Sequence, residues 1–467
     1  MADELTLLTV EELHAEFASR RLSPVELLER TLDLPDRSNA FVTVDHDQAR
    51  AAARTAERVL MDRGPDALKN RPLLGIPVSV KDLTPTRGLR TTRGSLLHRE
   101  WVPDFDAPAV ARLRAAGAVI LGKTNTSEFG WSAASRNRLT GVTSNPWDGG
   151  KTAGGSSCGA AAAVATGLGV CATGTDGAGS IRVPAAFCGV VGFKPSFGRV
   201  PYHPAGEELL SHLGPLTRSV ADAALMVEVM AGPDHRDVFS LDSVWRGQEY
   251  RDDAPPLRIA WIGGLGRPAS DPEILQVTRA AVRALAEAGH IVEEIQPSFE
   301  DPYPALIAIL ASAEAETHAS VPAAVADLID PGRLPIIEYG RRLGAVDLMA
   351  AQKARTRLWA QVREWMEGFD LLAMPTVPIK PFSANADEPD VKLNKAELSW
   401  LEWSPTTYCF NLTGQPAISL PAGFTSAGLP IGVQLVGGWR ADHTVIRAAL
   451  DLERIRPWRH TYRHLPT

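Results

Sequence analysis

The sequence predicts an α/β protein built of layers of helices and strands. Short apolar segments alternate along the chain with longer amphipathic ones, which is the pattern of layered folds. Residues 73–80 form a continuous apolar run of strand length, and residues 160–165 form an alanine-rich run that fits a buried helix. Neither a repeat nor a linker interrupts the pattern, so we expect residues 1–467 to form one domain.

The N-terminal region, about residues 1–65, is predicted to be helical. Thr9 and Ser23 each precede a glutamate by three residues, which is the capping-box pattern of a helix start. Pro24 fits the first helical position of the second helix, because its missing N–H has no partner there in any case. Residues 48–61 are rich in alanine and arginine and predict a further helix.

The central sheet is expected to begin in the region of about residues 70–230. Its first strand ends at Lys81. The strand at 73–80 is followed by a predicted helix, strand, helix and strand at residues 107–116, 118–121, 160–165 and 170–174. Farther along we predict a strand, a helix, a strand, a mostly helical region and a short strand at residues 257–262, 271–288, 290–294, 301–366 and 370–375.

Composition excludes several classes of function. A net charge of −7 over 467 residues leaves no basic field for nucleic acid. Residues 160–174 are too few and too weakly apolar to span a membrane, and the acidic N-terminus is unlike a signal peptide. The 4 cysteines form no CxxC pair, so we expect a cytoplasmic protein without disulfides, metal or cofactor.

A serine activated by a lysine is the chemistry that the motifs favour. A serine hydroxyl needs a base, and none of the 11 histidines lies between His98 and His203, where the serine- and glycine-rich motifs are concentrated. Lys81 follows an apolar strand, where loss of hydration lowers the pKa of an amine and lets it accept a proton. The alternative is that Lys81 pairs with Asp82 or with a helix end.

Two glycine-rich turns supply the remaining groups. Ser156 and Ser157 stand where one turn meets the alanine-rich helix, so either serine could instead cap that helix. Cys158 could act as a nucleophile, but a cysteine at a helix start more often packs. Residues 177–180 form a second turn, whose backbone N–H groups could bind an oxyanion or a phosphate. Asp176 and Arg182 flank this turn and are predicted to form a buried ion pair that holds it.

Taken together, these residues resemble the amidase signature family. The resemblance covers nearly the whole chain and is weakest in residues 230–365 and 377–400. The matching motifs are Val80-Lys81-Asp82, Gly122-Lys123-Thr124-Asn125, Gly154-Gly155-Ser156-Ser157, Gly174-Thr175-Asp176 with Gly179-Ser180-Ile181-Arg182, Gly192-Phe193-Lys194-Pro195, residues 214–222, Asn411 with Gly414-Gln415-Pro416-Ala417, and residues 428–435.

The resemblance implies a large mixed, twisted sheet between helices, and a Ser–cis-Ser–Lys triad that hydrolyses amides. It assigns Ser180 as the nucleophile, Ser156 as the bridging serine after a cis peptide bond, and Lys81 as the base. The other roles fall to an oxyanion hole of Gly177, Ala178, Gly179 and Ser180, to the auxiliary residues Ser157, Asp176 and Arg182, and to substrate contacts by Gly130, Trp131 and Ser132.

Three positions depart from the family pattern. Ala178 stands where many members have glycine, and a methyl group there narrows the allowed backbone angles. Cys158 and Ala160 replace a common glycine and serine, for which we expect effects on packing. None of the three removes a member of the implied triad.

The resemblance predicts an amidase that cleaves the carbon–nitrogen bond of a small carboxamide, anilide or carbamate. The substrate pocket is expected to draw on the segment after Val200 and on the variable residues 300–400. One alternative is the glutaminase subunit of a tRNA-dependent amidotransferase, although residues 210–215 look more like those of free-standing amidases. The other is a catalytically silent binding or scaffold protein. Neither a nucleic acid nor a membrane is an expected partner, and the chain is expected to be a monomer or a homodimer.

Overall fold

The computed structural model describes residues 4–466, apart from residues 205, 207, 244, 246–254, 267, 320, 392 and 394–396. The strands in this part of the chain are β1 Phe41–Val44, β2 Pro77–Lys81, β3 Val119–Thr124, β4 Arg136–Asn137, β5 Gly141–Val142, β6 Ser144–Asn145, β7 Asp148–Thr152, β8 Cys171–Asp176, β9 Val191–Lys194, β10 His212–Thr217, β11 Arg258–Trp261, β12 Ile291–Glu294, β13 Leu371–Pro375, β14 Ala417–Phe424 and β15 Pro430–Gly437. Most of them join one 11-stranded mixed sheet in the order β1-β3-β2-β8-β10-β9-β14-β15-β13-β11-β12.

Helices pack on both faces of this sheet. They are α1 Val10–Ala18, α2 Pro24–Asp33, α3 His46–Arg63, α4 Asp66–Asn70, α5 Pro108–Ala115, α6 Cys158–Thr166, α7 Arg182–Cys188, α8 Val220–Met230, α9 Pro272–Glu287, α10 Tyr303–Thr317, α11 Leu334–Arg342, α12 Ala345–Trp365, α13 Pro405–Leu412 and α14 Asp442–Ile455. Short 3-10 helices span Glu4–Leu7, Leu96–His98, Glu128–Gly130, Ala323–Leu328 and Arg459–His464.

Strand β13 shows the two apolar cores directly. Leu371 and Ala373 belong to the cluster that includes α9 and α14, whereas Leu372 and Met374 belong to the cluster that includes α10 and α12. Successive side chains of a strand point to opposite faces, so the sheet separates these two clusters. The predicted α/β architecture with a mixed sheet between helices is confirmed.

Parallel pairing brings the ends of three strands together. Strand β2 pairs in parallel with both β3 and β8. Their carboxyl ends therefore meet at one edge of the sheet, where Lys81, Thr124 and Asp176 end the three strands. This edge is where the ligand of an open α/β sheet is expected to bind.

Both predicted capping boxes are present, at Thr9 and at Ser23. The strand predicted at residues 73–80 was too long at its start, because β2 begins only at Pro77. The residues before it form a turn in which the Ile76 N–H donates to the Leu73 carbonyl, and Gly75 has a φ of 78°. An apolar run alone does not distinguish such a buried turn from a strand.

No helix in the part of the chain that the structure describes is long and apolar enough to cross a membrane. The division into an N-terminal helical region, a core and a variable region stays a prediction.

Candidate active site

Lys81 lies at the end of β2 and is wholly buried. Its Nζ is 2.7 Å from Ser156 Oγ and 2.9 Å from Thr175 Oγ1. Burial, which disfavours the charged amine, lowers the pKa of Lys81 to about 7. Lys81 therefore has a neutral form near neutral pH, as a general base requires.

Asp82 does not pair with Lys81, so the structural alternative proposed for this lysine was wrong. Its carboxylate instead accepts a hydrogen bond from the Thr92 N–H at 3.0 Å and another from Gly94 at 3.4 Å. Among the charged groups near this carboxylate, the buried Lys123 has the strongest electrostatic effect on it. Asp82 thus organises the loop after β2 and leaves Lys81 to the two hydroxyls.

Ser156 lies close to the backbone at Gly130. The peptide bond between Gly155 and Ser156 is cis, and the Ser156 side chain is buried. A methyl group added at Gly130 would come within 3.1 Å of Ser156 Oγ. Since Gly130 also has a φ of 80°, both space and backbone conformation favour glycine there.

Ser157 occupies the N-cap position of α6, but its side chain does not cap the helix. Its Oγ donates to the Thr175 carbonyl and accepts from the Thr175 N–H, both at 3.3 Å. Its own N–H donates to the Ser180 carbonyl at 3.1 Å. Ser157 therefore ties the two glycine-rich turns together, and the N-cap alternative was wrong for it. The neighbouring Cys158 is buried, and its thiol contacts the Asn125 carbonyl, as expected for packing.

Ser180 is the most accessible of the three predicted triad residues. It lies in the turn between β8 and α7 and is half-buried, whereas Lys81 and Ser156 are buried. Ser156 and Ser180 both line a cavity of about 400 Å³. Of these two serines, Ser156 is the one whose hydroxyl is bonded to Lys81.

Asp176 and Arg182 form the predicted buried ion pair. Arg182 Nη2 is 2.9 Å from Asp176 Oδ1, and both side chains are fully buried. The Arg182 guanidinium keeps the pKa of Asp176 well below its usual range. Asn411 and Gln434 complete the cluster, since each contacts Arg182 through its side-chain oxygen. The pair lies on either side of the turn that carries Ser180 and fixes its shape.

The predicted oxyanion hole needs one correction. The Gly179 N–H donates to Asp176 Oδ1 at 2.7 Å, so it is not available to a substrate. Over the described ranges, the N–H groups of Gly177, Ala178 and Ser180 donate to no other protein group. The Ala178 carbonyl accepts a hydrogen bond from the Thr407 hydroxyl at 2.8 Å. This bond holds in place the residue that stands where many family members have glycine. Three donors therefore remain for a developing oxyanion.

Comparison with known proteins agrees with this geometry. Residues 25–446 match the sequence model of the Amidase family. The chain belongs to the amidase signature family. It is an amidohydrolase, and amide hydrolysis is its activity.

The similarity of this amidase to its relatives extends over their full lengths. It is 37% identical to an acylamidase of Rhodococcus erythropolis over 97% of this chain and 96% of the relative. It is 36% identical to a glutamyl-tRNA(Gln) amidotransferase subunit from Thermus thermophilus over 95% of this chain and 96% of that one. The solved structure of a bacterial aryl acylamidase superposes with a TM-score of 0.91 at 29% identity, covering 99% of both chains.

The three predicted substrate contacts of the amidase all line the cavity: Gly130, Trp131 and Ser132. Trp131 also packs against Trp400, with ring centroids 6.4 Å apart, and its carbonyl accepts a hydrogen bond from the Trp400 indole at 2.8 Å. Trp131 thus both lines the cavity and packs against another aromatic ring, and its contact with substrate stays a prediction. Within the described residues no group of acidic, histidine and cysteine side chains is arranged to hold a metal.

Arg93, in the loop after β2, is a cavity residue of the amidase that was missed from the sequence. Other lining residues were expected only as parts of a segment: Tyr202 lies after Val200, and Leu310, Glu314, Arg333 and Ile336 lie on or beside α10 and α11 within residues 300–400. Arg333 is wholly buried and ion-paired to Glu128 at 3.1 Å and to Glu314. These residues come together only through tertiary contacts, and no local motif marks them.

Proposed function

We propose that the chain is a free-standing amidase that cleaves aryl amides through an acyl-enzyme on Ser180. The observation that carries this proposal is the fully buried Lys81, whose amine bonds Ser156 Oγ at 2.7 Å and has no carboxylate partner among the described residues. A neutral amine in this position is a base for a hydroxyl relay and has no evident structural role.

In the first half of the reaction, Lys81 takes the proton of Ser156 while Ser156 Oγ takes the proton of Ser180. Ser180 Oγ bonds to the carbonyl carbon, and the carbonyl oxygen becomes an oxyanion beside the N–H groups of Gly177 and Ala178. When the tetrahedral intermediate collapses, the carbon–nitrogen bond breaks. The proton held by Lys81 returns through Ser156 to the leaving amine.

In the second half, water attacks the acyl-enzyme, and the same relay now takes its proton from water in place of Ser180. Lys81, through Ser156, removes a proton from water, and the hydroxide oxygen bonds to the acyl carbon. The bond to Ser180 Oγ breaks, and the proton returns to that oxygen as the carboxylic acid leaves. No metal or cofactor enters either half.

The cavity wall supports an aryl amide as substrate. Its apolar part combines aliphatic side chains with the rings of Phe129, Trp131 and Trp400. Aromatic side chains stack well with aromatic ligands, and the indoles offer broad faces for a ring. The likeness to an acylamidase and to an aryl acylamidase supports the same choice. An aryl carbamate has the same carbonyl chemistry and fits the same wall.

We propose that the enzyme works in the reduced cytoplasm as a monomer or a homodimer. Its four cysteines are all free and buried, so no disulfide contributes to the fold.

The substrate panel that tests the proposal contains para-nitroacetanilide, an aryl carbamate, a primary aliphatic amide and glutamine. We expect release of the arylamine from the anilide or the carbamate to be the fastest reaction, because the leaving amine then lies against the aromatic wall. Each rate is measured by product release under identical conditions. Turnover of glutamine with none of the other three would contradict the proposal and favour the glutaminase of an amidotransferase.

A second prediction concerns pH. The pKa of Lys81 is lowered to about 7, so the amine is protonated below that pH and neutral above it. We therefore expect kcat/KM for para-nitroacetanilide to be about tenfold lower near pH 6 than near pH 8. Because the substrate does not titrate in this range, the rise of kcat/KM with pH reports the titration of a group of the free enzyme. Activity confined to acid pH would rule out Lys81 as the base.

A further inference from the structure

Arg93 places a positive charge in the wall of the substrate cavity. Its side chain is half-buried, and burial lowers its pKa. Within the described part of the chain no carboxylate forms an ion pair with it, and its buried Nε has no hydrogen-bond partner. The buried Asp82 carboxylate attracts the Arg93 guanidinium without an ion-pair contact. A partly desolvated cation without such a contact is costly, and such groups are usually paired.

Arg333 provides an internal comparison, because it contacts the same aromatic ring. The Cζ atom of Arg333 lies 4.4 Å from the Phe129 ring centroid, and that of Arg93 lies 5.8 Å from it. Arg333 is neutralised by Glu128 and Glu314. Of the two guanidinium groups beside Phe129, only that of Arg93 has no ion-pair partner among the described residues.

The guanidinium of Arg93 is also held in place. Its Cζ is 4.9 Å from the Trp101 ring centroid, so Trp101 and Phe129 both contact the cation. The Arg93 carbonyl accepts the N–H of Phe129 at 2.8 Å, and its own N–H donates to the Asp82 carbonyl at 3.1 Å. A guanidinium fixed by rings and backbone offers its remaining N–H groups to a planar anion at little cost in conformational entropy.

This charge lies near the reacting groups. Phe129 precedes Gly130, whose Cα hydrogens face Ser156 closely enough that an added methyl would be 3.1 Å from Ser156 Oγ. Asp82, which accepts the Arg93 N–H, directly follows Lys81. A substrate whose carbonyl is at Ser180 can therefore extend a second group toward Arg93 within the same cavity.

The other charges on the wall limit where an anion can bind. The carboxylates of Glu208, Glu314 and Glu316 also line the cavity. Glu314 is occupied by Arg333, and Glu316 is exposed near the end of α10. An anionic group is therefore favoured beside Arg93 and Phe129 and disfavoured toward Glu208 and Glu316.

From this geometry we infer that Arg93 is a specificity-determining residue that binds a carboxylate of the substrate, so that the preferred amides are anionic. Arginine and carboxylate match as a planar, two-point hydrogen-bonded pair. The inference rests on the proposed hydrolysis at Ser180. It adds that Arg93 makes the enzyme prefer an acid-bearing substrate to a neutral one of the same shape.

The kinetic test uses two pairs of substrates, each of an acid and a neutral compound of similar shape. With the acid on the amine side, para-acetamidobenzoate is compared with para-acetamidoacetophenone. With the acid on the acyl side, succinanilate is compared with levulinanilide. The measured quantity is the ratio of kcat/KM for acid over neutral substrate, which does not depend on the fraction of folded enzyme.

We expect Arg93→Gln to lower this ratio by roughly 10- to 100-fold in at least one pair, the factor that a lost charge-assisted hydrogen bond gives. The affected pair reports which side of the substrate carries the acid. Arg93→Lys should restore part of the ratio, and Arg87→Gln, which removes an exposed arginine of the same loop, should leave it unchanged. Ratios unchanged in both pairs would overturn the inference, as would a wild-type enzyme that cleaves only the neutral members.

A binding measurement separates this inference from the proposed function. Calorimetry on Ser180→Ala gives the Kd of para-acetamidobenzoate and of succinanilate without turnover. Adding Arg93→Gln should weaken binding of the preferred acid by roughly tenfold or more and leave its neutral partner unchanged. Equal affinities with and without Arg93 would overturn the inference even if hydrolysis at Ser180 is established, and a difference would support it even if Ser180→Ala remains active.

Discussion

Ser180→Ala is expected to lower kcat for para-nitroacetanilide by about 10⁶-fold, the scale on which a serine hydrolase loses activity without its nucleophile. The half-buried Ser180 lines the same cavity as Ser156, and Ser156 is bonded to Lys81. Because alanine removes only the hydroxyl, KM for the anilide should change little. Release of para-nitroaniline is the measurement.

Ser426→Ala is the matched control for this variant. Ser426 is exposed in the turn between β14 and β15, far along the chain from the site, and its substitution should leave kcat unchanged. Mass spectrometry of the wild-type enzyme quenched during turnover should find the acyl group on the peptide that contains Ser180. Activity within tenfold of wild type in Ser180→Ala would show that another group is the nucleophile.

Lys81→Met is expected to lower kcat/KM by about 10⁴-fold, at the upper end of what one general base contributes. The methionine side chain keeps most of the buried volume but cannot accept a proton from Ser156. The residual rate should also lose the limb near pH 7 that the wild-type enzyme shows, because the group that titrates there is gone. A residual profile that keeps this limb would assign it to another group.

The same variant has an expected effect on stability. The pKa of Lys81 is lower in the folded chain than in the unfolded one, so the unfolded chain binds the proton more tightly. The folded state is therefore penalised at neutral pH and gains stability as the pH rises from about 7 toward 10.5. Removing the amine removes this penalty, and we expect the free energy of unfolding at neutral pH to stay within about 1 kcal/mol of wild type or to rise.

Lys353→Met is the control for both measurements, since Lys353 is exposed on α12 and should affect neither activity nor unfolding. Chemical denaturation followed by circular dichroism gives the stability. A large loss of stability in Lys81→Met would mean that the lysine is needed for the fold, and its loss of activity would then not identify a base.

Much of the central sheet could be predicted because buried parallel strands are short and continuously apolar. β2 and β3 begin with such apolar residues, and these two strands and β8 were all expected from the sequence. Strands β10 and β15 were not predicted, because both contain proline and glycine. These residues normally argue against a strand. Their antiparallel partners, and not their own sequences, hold these segments extended.

The site, like the sheet, has one part that could be predicted from the sequence and another that could not. Lys81, Ser156 and Ser180 belong to local motifs that could be compared with a family, and Asp176 lies close enough to Arg182 in sequence for an ion pair to be expected. The ring of contacts around them could not be read from the sequence. Asn411 reaches Asp176 across 235 positions, and the sequence holds no local signal of such a contact.

The reacting groups and part of the cavity wall come from different segments of the chain, which can change independently. The reacting groups come from the strand ends and turns of residues 81–180, whereas one side of the wall comes from α10 and α11. Substitutions on those helices alter which molecules enter without altering how the bond is cut, provided that Arg333 and its partners are kept. Mutant libraries confined to α10 and α11 should therefore yield many active enzymes with altered substrate range, and few that are inactive.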